Sequence, residues 1–409
     1  MKWKTNAPSF FAVVCLGAAL LASSPNSDTD FEPVTRTGIV PDMDQVQDFS
    51  LNRAFRIFGN ISGNMPASIA AQRDDGAIYV GVINPSTHNF AIVVPAGTYG
   101  VRVCYGAGAT TATFDDPSPV VVASDTMRNE TLSAIATHQV SGRVTGLDPG
   151  TFGSIIFTSQ DRRNGGSTFI FPGIGTYMAA LADGIYNAVV AQIDPSLPAF
   201  SFFPVGSVTV SGSDVMIDFP VGSLATLSGM VTKNIPIPPN SVMFARDSSA
   251  VVGTGFDCNS PQFASGFAPV DQGTGAYRMR LSTGYSYNLA GSFPIHAADG
   301  TQSAGTWTSF DPLPVDFQGD VVRDEAVSAP TETITITGQV SPAGGLGSGD
   351  LLPDWFIEDA FCQMASGFYG RSTRTQRTGL PTADNYTLVV AKDAAATCTM
   401  TVSGSPPSP

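Results

Sequence analysis

One short pattern recurs four times and constrains the fold more than any other feature. It reads Ile57-Phe58-Gly59-Asn60-Ile61-Ser62, Val140-Ser141-Gly142-Arg143-Val144-Thr145, Leu227-Ser228-Gly229-Met230-Val231-Thr232 and Ile336-Thr337-Gly338-Gln339-Val340-Ser341. Side chains alternate between the faces of a strand. The two aliphatic residues and the glycine between them therefore share one face, and mostly polar residues share the other. A glycine on a buried face leaves room for a close approach by another part of the chain. The steps from Gly59 to Gly142, Gly229 and Gly338 are 83, 87 and 109 residues. A period of that size suits β-sandwich domains rather than short solenoid repeats.

Three copies continue alike. A second strand begins at Ser68-Ile69, Ser154-Ile155-Ile156-Phe157 and Ser241-Val242-Met243-Phe244. A hairpin follows, in which an aromatic residue precedes a glycine and a tyrosine comes just after it. The sets are Phe90, Gly97 and Tyr99; Tyr177, Gly184 and Tyr186; Tyr277, Gly284 and Tyr287. Two strands joined at a glycine turn, each with an inward aromatic, explain the spacing. The Gly-x-Tyr step predicts a tyrosine corner, in which the phenols of Tyr99, Tyr186 and Tyr287 bond nearby backbone. The fourth copy has Asp384-Asn385-Tyr386 at this place and is degenerate. It stops soon after Val402, so its last strand is expected to be missing or supplied by a partner.

These patterns resemble the carboxypeptidase regulatory-like domain, a prealbumin-like β-sandwich that opens with an aliphatic-x-Gly-x-Val strand and carries Gly-x-Tyr late. The resemblance covers Ala54 to roughly Val402. It implies an all-β fold, a tandem array of about four Ig-like or prealbumin-like antiparallel β-sandwich domains. It implies no chemistry, and nothing in the chain resembles a peptidase domain. The expected organisation is a secretory signal at 1–24, an acidic flexible linker at 25–52, and sandwiches at 53–137, 138–224 and 225–331. A degenerate sandwich with a disordered tail is expected at 332–409.

The signal rests on Lys2 and Lys4 followed by the apolar run from Phe10 to Ala22, too short to span a bilayer comfortably. Pro25 to Asn52 is polar, acidic and proline-punctuated, the composition of a tether. Export permits disulfides. Cys362 and Cys398 fall in one module and are the expected pair. Cys104 and Cys258 fall in different modules and read as free, partly buried thiols. The net charge of −14 repels phosphate backbones and anionic lipid heads, which excludes nucleic acid and membrane surfaces as expected partners. The expected location is secreted, periplasmic or cell-surface, with no membrane insertion after signal removal.

Catalytic signals are lacking. The chain holds no Cys-x-x-Cys, His-Glu-x-x-His, Gly-x-Ser-x-Gly or P-loop. His88, His138 and His296 sit at unrelated positions in three modules, whereas a zinc site needs about three convergent ligands. Asp74-Asp75-Gly76 and Asp115-Asp116 are calcium candidates that read more simply as a turn and a strand-ending loop. Trp307, Trp355 and the Phe200, Phe202 and Phe203 cluster are candidates for sugar or protein contact, with core packing the simpler reading. No catalytic residue, cofactor or metal is nominated. The expected function is a non-catalytic spacer, adhesin or binding scaffold for an extracellular protein or carbohydrate. A subunit of an extracellular fibre or surface assembly and a polysaccharide-acting enzyme are the alternatives.

Overall fold

The computed structural model describes residues 34–51, 54–147, 152–194, 199–234, 236–250, 258–259, 263–296, 303–310, 314–327, 332–342, 355–364, 367–376, 384–392 and 395–405. All regular structure among them is β-strand. Each glycine-centred pattern opens a module, as Phe55–Gly63, His138–Thr145, Leu224–Lys233 and Thr333–Pro342. The aliphatic residues flanking each glycine are buried: Ile57 and Ile61, Val140 and Val144, Leu227 and Val231, Ile336 and Val340. On one side the opening strand pairs antiparallel with Asn89–Val94, Thr176–Leu181, Ala276–Ser282 or Asp384–Ala391. The residue facing the glycine is aromatic every time: Phe90, Tyr177, Tyr277 and Tyr386.

On its other side, each opening strand pairs in parallel with two very short strands. In the first three modules these follow in sequence: Thr126–Met127 with Glu130–Leu132, Val215–Met216 with Phe219–Pro220, and Val321–Val322 with Glu325–Val327. In the fourth they are Gln45–Val46 and Phe49–Leu51, from the other end of the chain. Val34–Ile39 likewise pairs antiparallel with Thr397–Ser405. Residues 34–51 are therefore sheet, and the flexible linker expected over 25–52 is corrected in this part. The last strand of the fourth module is neither missing nor taken from a partner. It comes from the same chain.

The second layer of the sandwiches is a single 18-stranded sheet. Adjacent modules share ladders within it. Thr110–Ala112 pairs with Asn164–Gly166, Phe200–Phe202 with Ser265–Phe267, and Thr306–Thr308 with Phe368–Gly370. Backbone groups that would be open edges of separate sandwiches are satisfied across these seams. Cores form beneath the sheet in the first and second modules, and one continuous core serves the third and fourth.

A disulfide joins Cys104 of the first module to Cys258 of the third, with Cα atoms 5.4 Å apart. This corrects the reading of both as free thiols. It also ties the first module covalently to the third. Spacing alone does not give a connectivity across 154 residues.

Candidate functional site

The site with the most distinctive construction is the clasp formed by residues 34–51 on the fourth module. Its parts follow a rule repeated in every module. A Cβ at Gly59, Gly142, Gly229 or Gly338 would lie 1.7, 1.8, 1.7 or 1.9 Å from the carbonyl oxygen of Arg128, Ile217, Arg323 or Gln47. The glycine is thus a slot for the carbonyl of the closing segment. Where the facing aromatic is a tyrosine, its phenol donates to that carbonyl: Tyr177 to Ile217 O at 2.7 Å, Tyr277 to Arg323 O at 2.6 Å and Tyr386 to Gln47 O at 2.6 Å. Phe90 fills the place without a hydroxyl in the first module.

Two side chains on either side of the carbonyl complete the staple. Asp125 and Asn129 accept from the backbone N–H groups of Arg56 and Asn60. Asp214 and Asp218 do so for Gln139 and Arg143, and Asp320 and Asp324 for Thr226 and Met230. In the clasp, Asp44 and Asp48 accept from Thr335 and Gln339 at 2.7 and 2.9 Å. The sequence signal is Asp-x-(Met/Val)-x-(Asp/Asn), present four times and not singled out by sequence reasoning. Hydrogen bonds to a charged acceptor are the stronger kind, about 1.5–3 kcal/mol each.

Apolar and cationic contacts anchor the clasp further. Phe49 is 1% exposed, with its ring centroid 6.2 Å from that of Tyr386 and 5.0 Å from the Arg36 guanidinium carbon, which lies over the ring. Arg36 also donates to Gln47 Oε1, and the hydroxyls of Thr35 and Thr401 are 2.9 Å apart. Ile39, opposite Cys398, is buried.

The predicted corner tyrosines are fully buried. Tyr99, Tyr186 and Tyr287 donate to Pro95 O, Ala182 O and Ser282 O at 2.8, 2.8 and 3.0 Å. Burial pushes the Tyr186 phenol up to about 12. Tyr386 does not hold the corner position given to it by sequence alignment, because the register sets it opposite Gly338. Cys398 stands at the corner instead, disulfide-bonded and directly across from Cys362 in the ladder.

The calcium candidates are occupied by arginines. Asp75 pairs with Arg73 at 2.6 Å. Asp115 bridges Arg102 of the first module and Arg163 of the second. Asp116 meets Arg128, which also reaches Glu130 at 3.4 Å. Burial, with Asp116 adding to it, raises the Glu130 carboxyl above the usual range. Among the described residues no three metal-ligating side chains converge. The side chains of Trp307, Trp355 and His296, the whole of 1–33 and the tail after 405 lie outside the described residues.

Aromatic residues do line up on the face of the large sheet that points away from the cores. Phe152, Ile193, Phe200, Phe267 and Phe244 are successive register partners across five strands and the seam between the second and third modules. Phe200 and Phe267 stack at 5.6 Å, and Phe244 lies 6.3 Å from Phe267. Phe152, Ile193 and Phe244 are 62%, 43% and 39% exposed. Phe203 points the other way, into the core.

No family model matches the chain, and no curated protein does. Some solved structures show a distant likeness to the chain. A candidate adhesin from Bacteroides ovatus is 10% identical, with 48% of this chain and 94% of that one covered, at a TM-score of 0.18. The Streptococcal ancillary pilin is 8% identical over 66% and 99% of the two chains, at 0.16. BcpA, the major pilin subunit of Bacillus cereus, is 8% identical over 67% and 99%, at 0.18. Chains with scores this low do not superpose as wholes. No helix among the described residues is long and apolar enough to cross a membrane.

Proposed function

We propose that the chain is a non-catalytic extracellular scaffold of adhesin type, whose four sandwiches act as one rigid body presenting an aromatic face. The observation that carries this reading is the way the modules are fused. Hydrogen-bonded ladders cross every seam, a disulfide ties the first module to the third, and the clasp closes the fourth. Such construction suits a protein that holds a surface in place outside the cell, where disulfides persist. Asp214 and Asp218 serve as backbone staples and Asp115 and Asp116 as arginine partners, which favours a structural over a hydrolytic role for them. Export by the 1–24 segment, a Cys362–Cys398 bridge and kinship with carboxypeptidase regulatory-like modules belong to the same reading.

The contact surface would be the row from Phe152 to Phe244. Exposed contiguous apolar rows mark interaction sites, and aromatic anchors dominate the energy of protein and sugar recognition. The test is co-sedimentation of the purified protein with envelopes of the source cells. Saturable binding that survives moderate salt, and that falls at least tenfold in the double variant Phe152→Ser, Phe244→Ser, supports the reading. Binding unchanged by the double variant removes the row as the contact surface, and absence of any binding removes the adhesin role.

A further inference from the structure

We propose that the fourth module is a strand-acceptor site whose alternative occupant is the 34–51 segment of a second copy of this chain. The clasp is then also the head-to-tail joint of an assembly. The proposal does not depend on the aromatic face or its ligand.

The closing elements of the first three modules follow their opening strands at separations of 69, 75 and 94 residues, read from the aspartate staples. In the fourth the same staple spans 291 residues. The donor segment is contiguous, leads into the opening strand of the first module at Phe55, and is the closing element that does not follow its own module. Its acceptor is a built socket. It comprises the slot over Gly338, the Tyr386 phenol, the amides of Thr335 and Gln339, and the core pocket taken by Phe49. Left empty, it would strand a buried phenol and expose core, so it requires a segment of this pattern.

Every contact in the socket is the same whether the donor comes from the same chain or another. The choice is then set by effective concentration, and exchanging an identical element between copies is a low-cost route to association. Donor and acceptor are different surfaces, so the exchanged joint is heterologous. Each copy offers one of each, and a heterologous joint that does not close propagates as an open chain. Pairing an extended segment along a strand and filling pockets with its alternate side chains is an established way for sheets to take up peptides.

Complementation tests this in the full chain. Gly338→Val blocks the acceptor but leaves the donor, and Phe49→Asp spoils the donor but leaves the acceptor. Each is sedimented alone and after mixing. The expected result is a species of twice the monomer mass in the mixture and in neither variant alone. Folded variants that stay monomeric in the mixture at every concentration overturn the proposal. A second measurement covers the case in which either variant fails to fold. Thr35→Cys with Thr401→Cys, otherwise native, is refolded at rising concentration in a thiol redox buffer and run on non-reducing gels. A ladder of interchain species growing with concentration supports exchange. Monomer with only the intrachain bond at all concentrations overturns it.

Discussion

Adding one methyl group at Gly338 isolates the clasp from the rest of the molecule. The new Cβ would lie 1.9 Å from Gln47 O, whereas ordinary contact begins at 3.4 Å. The neighbour is backbone, so the strand Gln45–Val46 must move by about 1.5 Å, beyond what side-chain adjustment absorbs. That movement breaks the bond from Gln47 N to Thr337 O at 2.8 Å, the Tyr386 phenol bond at 2.6 Å and the Asp48 staple at 2.9 Å. Two neutral hydrogen bonds at about 1 kcal/mol each and the bond to the charged Asp48 at about 1.5–3 kcal/mol give about 3.5–5 kcal/mol, and partial withdrawal of Phe49 adds a fraction of the 3–5 kcal/mol typical of an emptied aromatic site. Gly338→Ala is therefore expected to cost about 4–7 kcal/mol, concentrated in the fourth module. Denaturant melts give the total, and hydrogen exchange over residues 45–51 locates it. Gly142→Ala faces the same clash with Ile217 O at 1.8 Å and should loosen 215–220 while leaving 45–51 protected. A Gly338→Ala chain within about 0.5 kcal/mol of the parent, with the clasp still protected, would refute the slot argument.

Other consequences concern the lock and the buried charges. Cys104→Ser with Cys258→Ser removes a link across 154 residues, worth about 5 kcal/mol in the chain-entropy model, so the melting temperature under non-reducing conditions should fall. An unchanged melt would mean the disulfide is not part of the lock. Burial pushes the Lys233 amine down to about 8, with Nζ unpartnered and 4.7 Å over the Phe293 ring. Its folded value lies below the unfolded one, so the penalty is full below pH 8 and is relieved as pH rises toward the ordinary lysine value. Lys233→Met should stabilise the protein at neutral pH by on the order of 2–3 kcal/mol, an advantage that shrinks in alkaline melts. Glu130 has the opposite sign of shift. Its folded value is raised, so its charged form is penalised at neutral pH and the penalty disappears in acid below the unfolded value. Glu130→Gln should raise the neutral-pH melting temperature and leave the acid one unchanged; a loss at neutral pH would show that the Arg128 pair outweighs burial.

Much of the architecture is legible in the sequence because it is written in local alternation. The opening strands, the burial of their aliphatic pairs and the corner positions of Tyr99, Tyr186 and Tyr287 all follow from spacing within one module. The clasp is not legible that way. Gln45–Val46 and Phe49–Leu51 are too short to show alternation, and their acidic, proline-punctuated surroundings have the composition of a tether. The clue was comparative: Asp44, Val46 and Asp48 repeat Asp320, Val322 and Asp324, but at the far end of the chain from the module they complete. The place of Tyr386 is hidden for a related reason. The fourth module puts Cys398 at the corner, twelve residues after its glycine-facing aromatic, where the others have a tyrosine nine or ten residues after theirs. Seams and the Cys104–Cys258 link depend on which modules meet, which no local pattern encodes.

Hydrogen exchange on the intact full-length chain tests the closure most directly. The closing segments 126–132, 215–220 and 321–327 serve as internal standards, since each is held by the same staples as the clasp. Protection of residues 45–51 at the level of those three segments is the predicted result. Exchange of 45–51 at the rate of an unstructured peptide, with the other three protected, would contradict the closure of the fourth module by the chain's own N-terminal segment.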